Sequence, residues 1–203
     1  MRFWHTVGCL TNFLLIGLWT CFAPDNAIAY IASPPTTLGS MFKESTHVII
    51  VKVEILDRDK NVIIWRKLRD VKGKWPSDLV KQNIGGETPD KEVTAARKYI
   101  MKWAEIGKTT VMFAQGSNKW GRTYIDQQWY CGPSADWQWW SMSHGEPLLR
   151  KVYTGKADDL VTAIEAIAAR KEVIVPCMVE GKIRQMRASL KLLDFNPKRD
   201  AVE

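Results

Sequence analysis

Beyond its first thirty residues the sequence is poor in the side chains that build most metal and redox centres. The cysteines there are Cys131 and Cys177, and the histidines are His47 and His144. No C-x-x-C, no C-x-x-C-H and no His/Cys cluster at metal-ligand spacing is present, so zinc, haem and thioredoxin-like chemistry draw no support from the sequence, and neither a metal nor a cofactor is expected. A phosphate loop is missing too, because Lys72-Gly73-Lys74 stands without the G-x-x-x-x-G-K-S/T pattern and reads as a turn. Internal repeats and low-complexity stretches are absent. With 46% hydrophobic and 25% charged residues in 203, the composition excludes disorder, collagen and a multi-span membrane protein.

What is there begins with an export signal. Arg2 and His5 precede an apolar run from Phe13 to Phe22, followed by Pro24 and Ala27-Ile28-Ala29. This is the order of a secretory signal peptide spanning residues 1–29, too short in its apolar part for a membrane span, with cleavage expected after Ala29. A lipoprotein anchored through Cys21 is the rival, although Trp19 and Thr20 stand where small residues are wanted. No second long apolar run follows, so the mature chain, residues 30–203, is expected to be a single secreted or periplasmic domain without a membrane span.

Arg2 and Asp25 leave with the signal, so the net charge of +7 is unchanged. A basic surface suits anionic polysaccharide or a phosphate-rich envelope surface, and export argues against nucleic acid. The partners expected are therefore a polysaccharide or another envelope protein. The basic residues are dispersed, with a mild concentration from Lys182 to Arg199 that also fits a solvated helix face.

Cys131 and Cys177 form an even pair in an oxidising compartment, where one disulfide is natural and worth about 4 kcal/mol in the chain-entropy model. Two buried thiols are the other reading. Cys131 with His144 also offers a nucleophile and a base, with Asp126 and Glu146 as the nearest polar companions, which defines a cysteine-dependent hydrolase as one function. Against it, Ser143-His144-Gly145-Glu146 reads as a turn, and a bond at Cys131 would remove the thiol. The carboxylate pairs Asp57/Asp59 and Asp158/Asp159 lie in a polar turn and at a helix start, where neither needs a catalytic role.

Periodicity predicts a short helix capped by Thr37, then strands over His47 to Leu56 and Val62 to Leu68 joined by the turn Asp57–Asn61, and a third strand from Leu79 to Ile84. A helix from Pro89 to Glu105 follows, then strands at Thr109 to Ala114, Arg122 to Cys131, Trp137 to Met142 and Leu148 to Tyr153. Lys156 to Arg170 is the clearest helix, Glu172 to Met178 an edge strand carrying Pro176, Ile183 to Leu193 a last amphipathic helix, and Asn196 to Arg199 an exposed tail. The succession argues an α+β domain around a mainly antiparallel sheet, closed or half-closed as a small barrel, with two to four flanking helices.

Ten tryptophans are present, and Trp120, Trp129, Trp137, Trp139 and Trp140 crowd one stretch. Aromatic faces stack on sugars, so Trp129, Trp137, Trp139 and Trp140 are the candidate ligand-binding residues. Most of them equally suit a core, with Trp139 or Trp140 the best candidates for exposure.

Thr37 to Ile49, Leu68 to Lys74, Trp103 to Thr109, Trp129-Tyr130-Cys131, Ser143 to Pro147, Val175 to Val179 and Ala188 to Asp200 together resemble a family of uncharacterised secreted proteins of planctomycete bacteria. The resemblance implies export and carries no activity. In its fold, the helix, the strand at Ser45 to Ile49, the hairpin, the turn at Val71-Lys72-Gly73 and the strand from Gly107 to Ala114 are similar to bacterial netrin-like, metalloproteinase-inhibitor-like domains. That resemblance implies an OB-type barrel. The amino-terminal Cys-x-Cys with which true inhibitors grip a catalytic zinc has no counterpart in residues 30–203. These features together imply a secreted, non-catalytic binding or envelope-associated module with an OB-like core, the alternatives being the Cys131/His144 hydrolase and an anionic-glycan binder.

Overall fold

The computed structural model of the chain describes residues 36–202. The segment expected as a signal peptide, Cys21 and the expected cleavage site lie outside them. Helix α1, Leu38–Glu44, starts where Thr37 accepts a hydrogen bond from the Ser40 amide at 3.1 Å and buries Leu38, Met41 and Phe42. Strands β1, His47–Asp57, and β2, Val62–Lys72, form the first hairpin. Its turn uses Asn61 in the left-handed region, φ 52°, and the Asp57 carboxylate accepting from the Lys60 amide. Strand β3, Leu79–Asn83, pairs with β2.

Helix α2, Lys91–Trp103, is capped by Asp90 and buries only Ile100 and Met101. Strand β4, Thr109–Ala114, returns beside β1. Beyond it lie β5, Trp120–Ile125, and β6, Gln128–Pro133, where the sequence suggests a single strand. The break is at Asp126-Gln127, both left-handed with φ 40° and 65°, as a two-residue hairpin turn demands. Strand β7, Trp139–Ser141, runs parallel to β3, and β8, His144–Gly145, is antiparallel to β6.

The segment expected as a strand at Leu148 to Tyr153 is instead a 3-10 helix, Pro147–Lys151, because Pro147 lacks the amide a ladder needs and its fixed φ suits a first helical turn. Helix α3, Ala157–Ala168, places Asp158 and Asp159 at its positive end. Strand β9, Val173–Val179, then pairs with β10, Lys182–Ala188, where a helix is expected. Glu180 and Gly181, φ 50° and 75°, make another tight hairpin turn, and burial follows period two through Met186 and Ala188 while Ile183 stays exposed. The expected tail is folded as well: Asn196 caps α4, Pro197–Asp200, and Asp200 is buried against Arg199.

The eight-stranded sheet has the order β7-β3-β2-β1-β4-β5-β6-β8 and is strongly curled into a half-barrel with mixed strand directions, the β3–β7 pair being parallel. Its two edge strands are successive in the chain, with only Met142 and Ser143 between them. Inside the curl, Gln82 of β3 accepts from the Trp65 indole at 2.9 Å and reaches Thr123 of β5 at 3.4 Å. The inner face holds one core of Val51, Val53, Trp65, Trp75, Tyr130 and Trp140, with Ile100 and Met101 of α2. On the outer face Val48, Phe113, Tyr124 and Trp129 pack on α1, α3 and the β9–β10 hairpin. Cover on both faces explains why the first half of β1 is apolar without alternation. Among the described residues no helix is long and apolar enough to cross a membrane.

Gly39 lies inside α1 with its Cα against the Ser189 carbonyl, so a methyl group there would collide with backbone. Gly39→Ala, which by helix propensity would stabilise by about 0.5–1 kcal/mol, is expected to destabilise by about 1–3 kcal/mol. A fall in the urea midpoint checks this, and a rise would contradict it.

Candidate functional sites

The tryptophan stretch divides by burial. Trp129, 1% exposed, donates its indole N–H to the Tyr153 carbonyl at 3.0 Å and packs against Phe113 and Tyr124. Trp140, 2% exposed, covers Gly121 in the inner core, and its Nε1 meets no acceptor among the described residues. Trp137 is half-buried, edge-on to Trp75 and His47, and its carbonyl accepts from the Trp75 indole at 2.9 Å. Burial in this aromatic set holds the His47 pKa below its ordinary value. Trp139 turns outward at 41% exposure, with the Lys81 ammonium 5.1 Å from its ring, and Trp120 is exposed against the His144 ring.

Sheet pairing brings together what sequence spacing does not. Phe113, Arg122, Cys131 and His144 are directly opposite one another on successive strands β4, β5, β6 and β8, hence on one face. Glu146, two residues past His144, joins that face, and its carboxylate lies 2.9 Å from His144 Nε2. Ligating atoms of Cys131, His144 and Glu146 all fall within 4.8 Å of one another, so this trio can hold a metal ion although the sequence suggests none. Asp126, the other expected companion, sits in the β5–β6 turn and accepts from the Tyr99 hydroxyl instead.

Cys131 is buried at 5% exposure. Burial, followed by the charge of Glu146, pushes its pKa well above the ordinary thiol range, with Arg122 pulling the other way. A thiol so placed stays protonated and is a poor nucleophile. Cys177 lies in the outer core, donates to the Val152 carbonyl at 3.3 Å, and is pushed up to about 12 by burial. The structure contains both cysteines as free thiols, with no bridge between them.

A third feature escapes a linear reading. An open cleft of about 470 Å³ lies between α2 and the strand ends, floored by Gly85 and Gly86 and lined by Arg58, Arg97, Lys98 and Lys102 against one acid, Glu87. Arg58 is committed to the last carbonyls of α2, at Met101 and Ala104, and Lys98 pairs with Glu87 at 2.6 Å. Arg97 bonds the Gly86 carbonyl at 2.7 Å through Nη1, while its buried Nε is unpartnered among the described residues. Thr94, Arg97, Lys98, Met101 and Lys102 share one face of α2 by their spacing, the signal from which the cleft could have been read.

Comparison with family models, with curated proteins and with solved structures gives no match.

Alkylation of the unfolded chain without reductant is expected to label both Cys131 and Cys177, and the native protein to label slowly at both. Peptide mass mapping checks this. Recovery of a peptide pair joined through these two residues would contradict the free-thiol state.

Proposed function

We propose that the chain is an exported, non-catalytic binding module that takes an anionic polysaccharide in the α2 cleft, with Trp139 as an aromatic contact beside it. The carrying observation is the cleft's charge, four cations against one acid. Arg97 and Lys102 supply charge there that the oxyanions of such a ligand would neutralise. Trp139 pairs with Lys81 on β3, the strand that leads through Asn83 to the glycines of the cleft.

The order β3-β2-β1-β4-β5, the helix α2 between β3 and β4 and the parallel edge at β3 support an OB-type, netrin-like barrel. Barrels of that type take oligosaccharides near strands 2 and 3 and the loop between strands 1 and 2, which here carries Arg58 and Asn61. Export is supported by the residue 1–29 pattern and the planctomycete resemblance. The protonated, buried Cys131 weighs against the hydrolase alternative.

On a heparin column the protein is expected to be retained and released by salt. Arg97→Gln/Lys102→Gln is expected to weaken binding about tenfold or more. Lys171→Gln/Lys191→Gln, the same charge change on exposed residues outside the cleft, is expected to leave it nearly intact. Equal losses from the two pairs would reduce the interaction to net charge and contradict a cleft.

A further inference from the structure

We propose that Cys131, His144 and Glu146 form a binding site for a single zinc-class divalent cation, independent of the anionic cleft. Three observations converge on it. The donor set is one sulfur, one imidazole nitrogen and one carboxylate oxygen, a borderline-soft combination that suits Zn²⁺ and leaves a fourth position open to water or an outside ligand. The trio is held by backbone rather than by flexible loops: Cys131 and His144 are opposite residues of β6 and β8, fixed by the Ser143 amide on the Cys131 carbonyl and the Glu146 amide on the Trp129 carbonyl, both at 2.8 Å. The three ligating atoms are already gathered within 4.8 Å. A tetrahedral ion with ordinary zinc bond lengths sets its donors roughly 3.3–3.8 Å apart, so side-chain shifts of about 1 Å complete the site.

The surroundings fit this use. With Nε2 turned to the ion, Nδ1 of His144 remains 3.2 Å from the Ser143 hydroxyl, the kind of outer contact that fixes a ligating ring. His144 and Glu146 keep about a third and a fifth of their side-chain surface, 36% and 22%, so an ion has a path in. Binding replaces the His144–Glu146 hydrogen bond, and the Cys131 thiol proton is released to solvent, leaving thiolate and carboxylate to balance the dication. Arg122, a neighbouring cation that also bonds the sulfur, works against affinity.

The test is a titration of the full chain with Co²⁺ and Zn²⁺. One equivalent of Co²⁺ is expected to produce thiolate-to-cobalt charge transfer and the intense visible bands of a tetrahedral site, with Zn²⁺ displacing it at a Kd below about 1 μM. Cys131→Ser and His144→Gln should each abolish the bands, Glu146→Gln should weaken binding at least about tenfold, and Arg122→Gln should strengthen it about threefold or more. Cys177→Ser and Cys9→Ser/Cys21→Ser should leave the signal unchanged. His144→Gln, at a half-exposed position, keeps the test valid should Cys131→Ser fail to fold. Absent bands in the folded chain, bands that survive His144→Gln, or bands lost with Cys9 and Cys21 would overturn the site.

Discussion

The chain from Trp137 to Glu146 is the constraint on which the rest of the structure depends. It lies along β3 on one side, through the parallel pairing of Lys81, Gln82 and Asn83 with Trp139, Trp140 and Ser141, and against β6 on the other, where His144 faces Cys131. The three Cα–Cα steps from Ser141 to His144 cannot span more than about 11 Å, so edge strands joined by Met142 and Ser143 force the whole sheet to curl. Gly121 and Gly132 make the seam possible. A side chain at the first would enter the Trp140 ring, and at the second the Ser141 carbonyl. Here glycine is required by close approach of backbone and ring, not by an unusual φ.

This closure explains why a tryptophan-rich stretch yields so little exposed aromatic surface. Trp140 and Trp75 fill the inside of the curl, and Trp129 anchors the outer core by its bond to the Tyr153 carbonyl. Each buried ring removes a large apolar area from water, and large rings suit the wide centre of a strongly curled sheet. The same seam positions both proposed binding places. Met142 donates to the Asn83 carbonyl at the edge of the basic cleft, and Ser143 donates to the Cys131 carbonyl at the Cys/His/Glu trio, each at 2.8 Å.

Local signals made much of the framework legible. Thr37 as a cap, the polar turn after β1, the apolar spacing of α3 and Pro176 on an edge strand all act within a few residues, and the α+β class with a curled sheet follows from them. The elements that escaped were decided by left-handed pairs. Asp126-Gln127 splits one apparent strand into β5 and β6, and Glu180-Gly181 turns an apparently amphipathic helix into β10. The spacing of Ile183, Met186 and Leu190 fits a helix as well as an irregular strand, and only pairing with β9 decides between them. The Cys131–His144–Glu146 trio had no spacing signature, because ligands on paired strands are set by sheet register rather than by intervals along one helix. The basic face of α2 was visible in principle, but only once the helix was read as partly unburied.

The most direct test of this account is native-state hydrogen exchange at the seam amides of Lys81, Met142 and Ser143, which donate to Gln138, Asn83 and Cys131. If the seam closes the sheet, these three exchange as slowly as the central amides of β1, by unfolding of the whole domain. Exchange as fast as in surface loops while β1 stays protected would mean that Trp137–Glu146 is a mobile strap over an open sheet, and the account of the fold and of both binding places would fail with it.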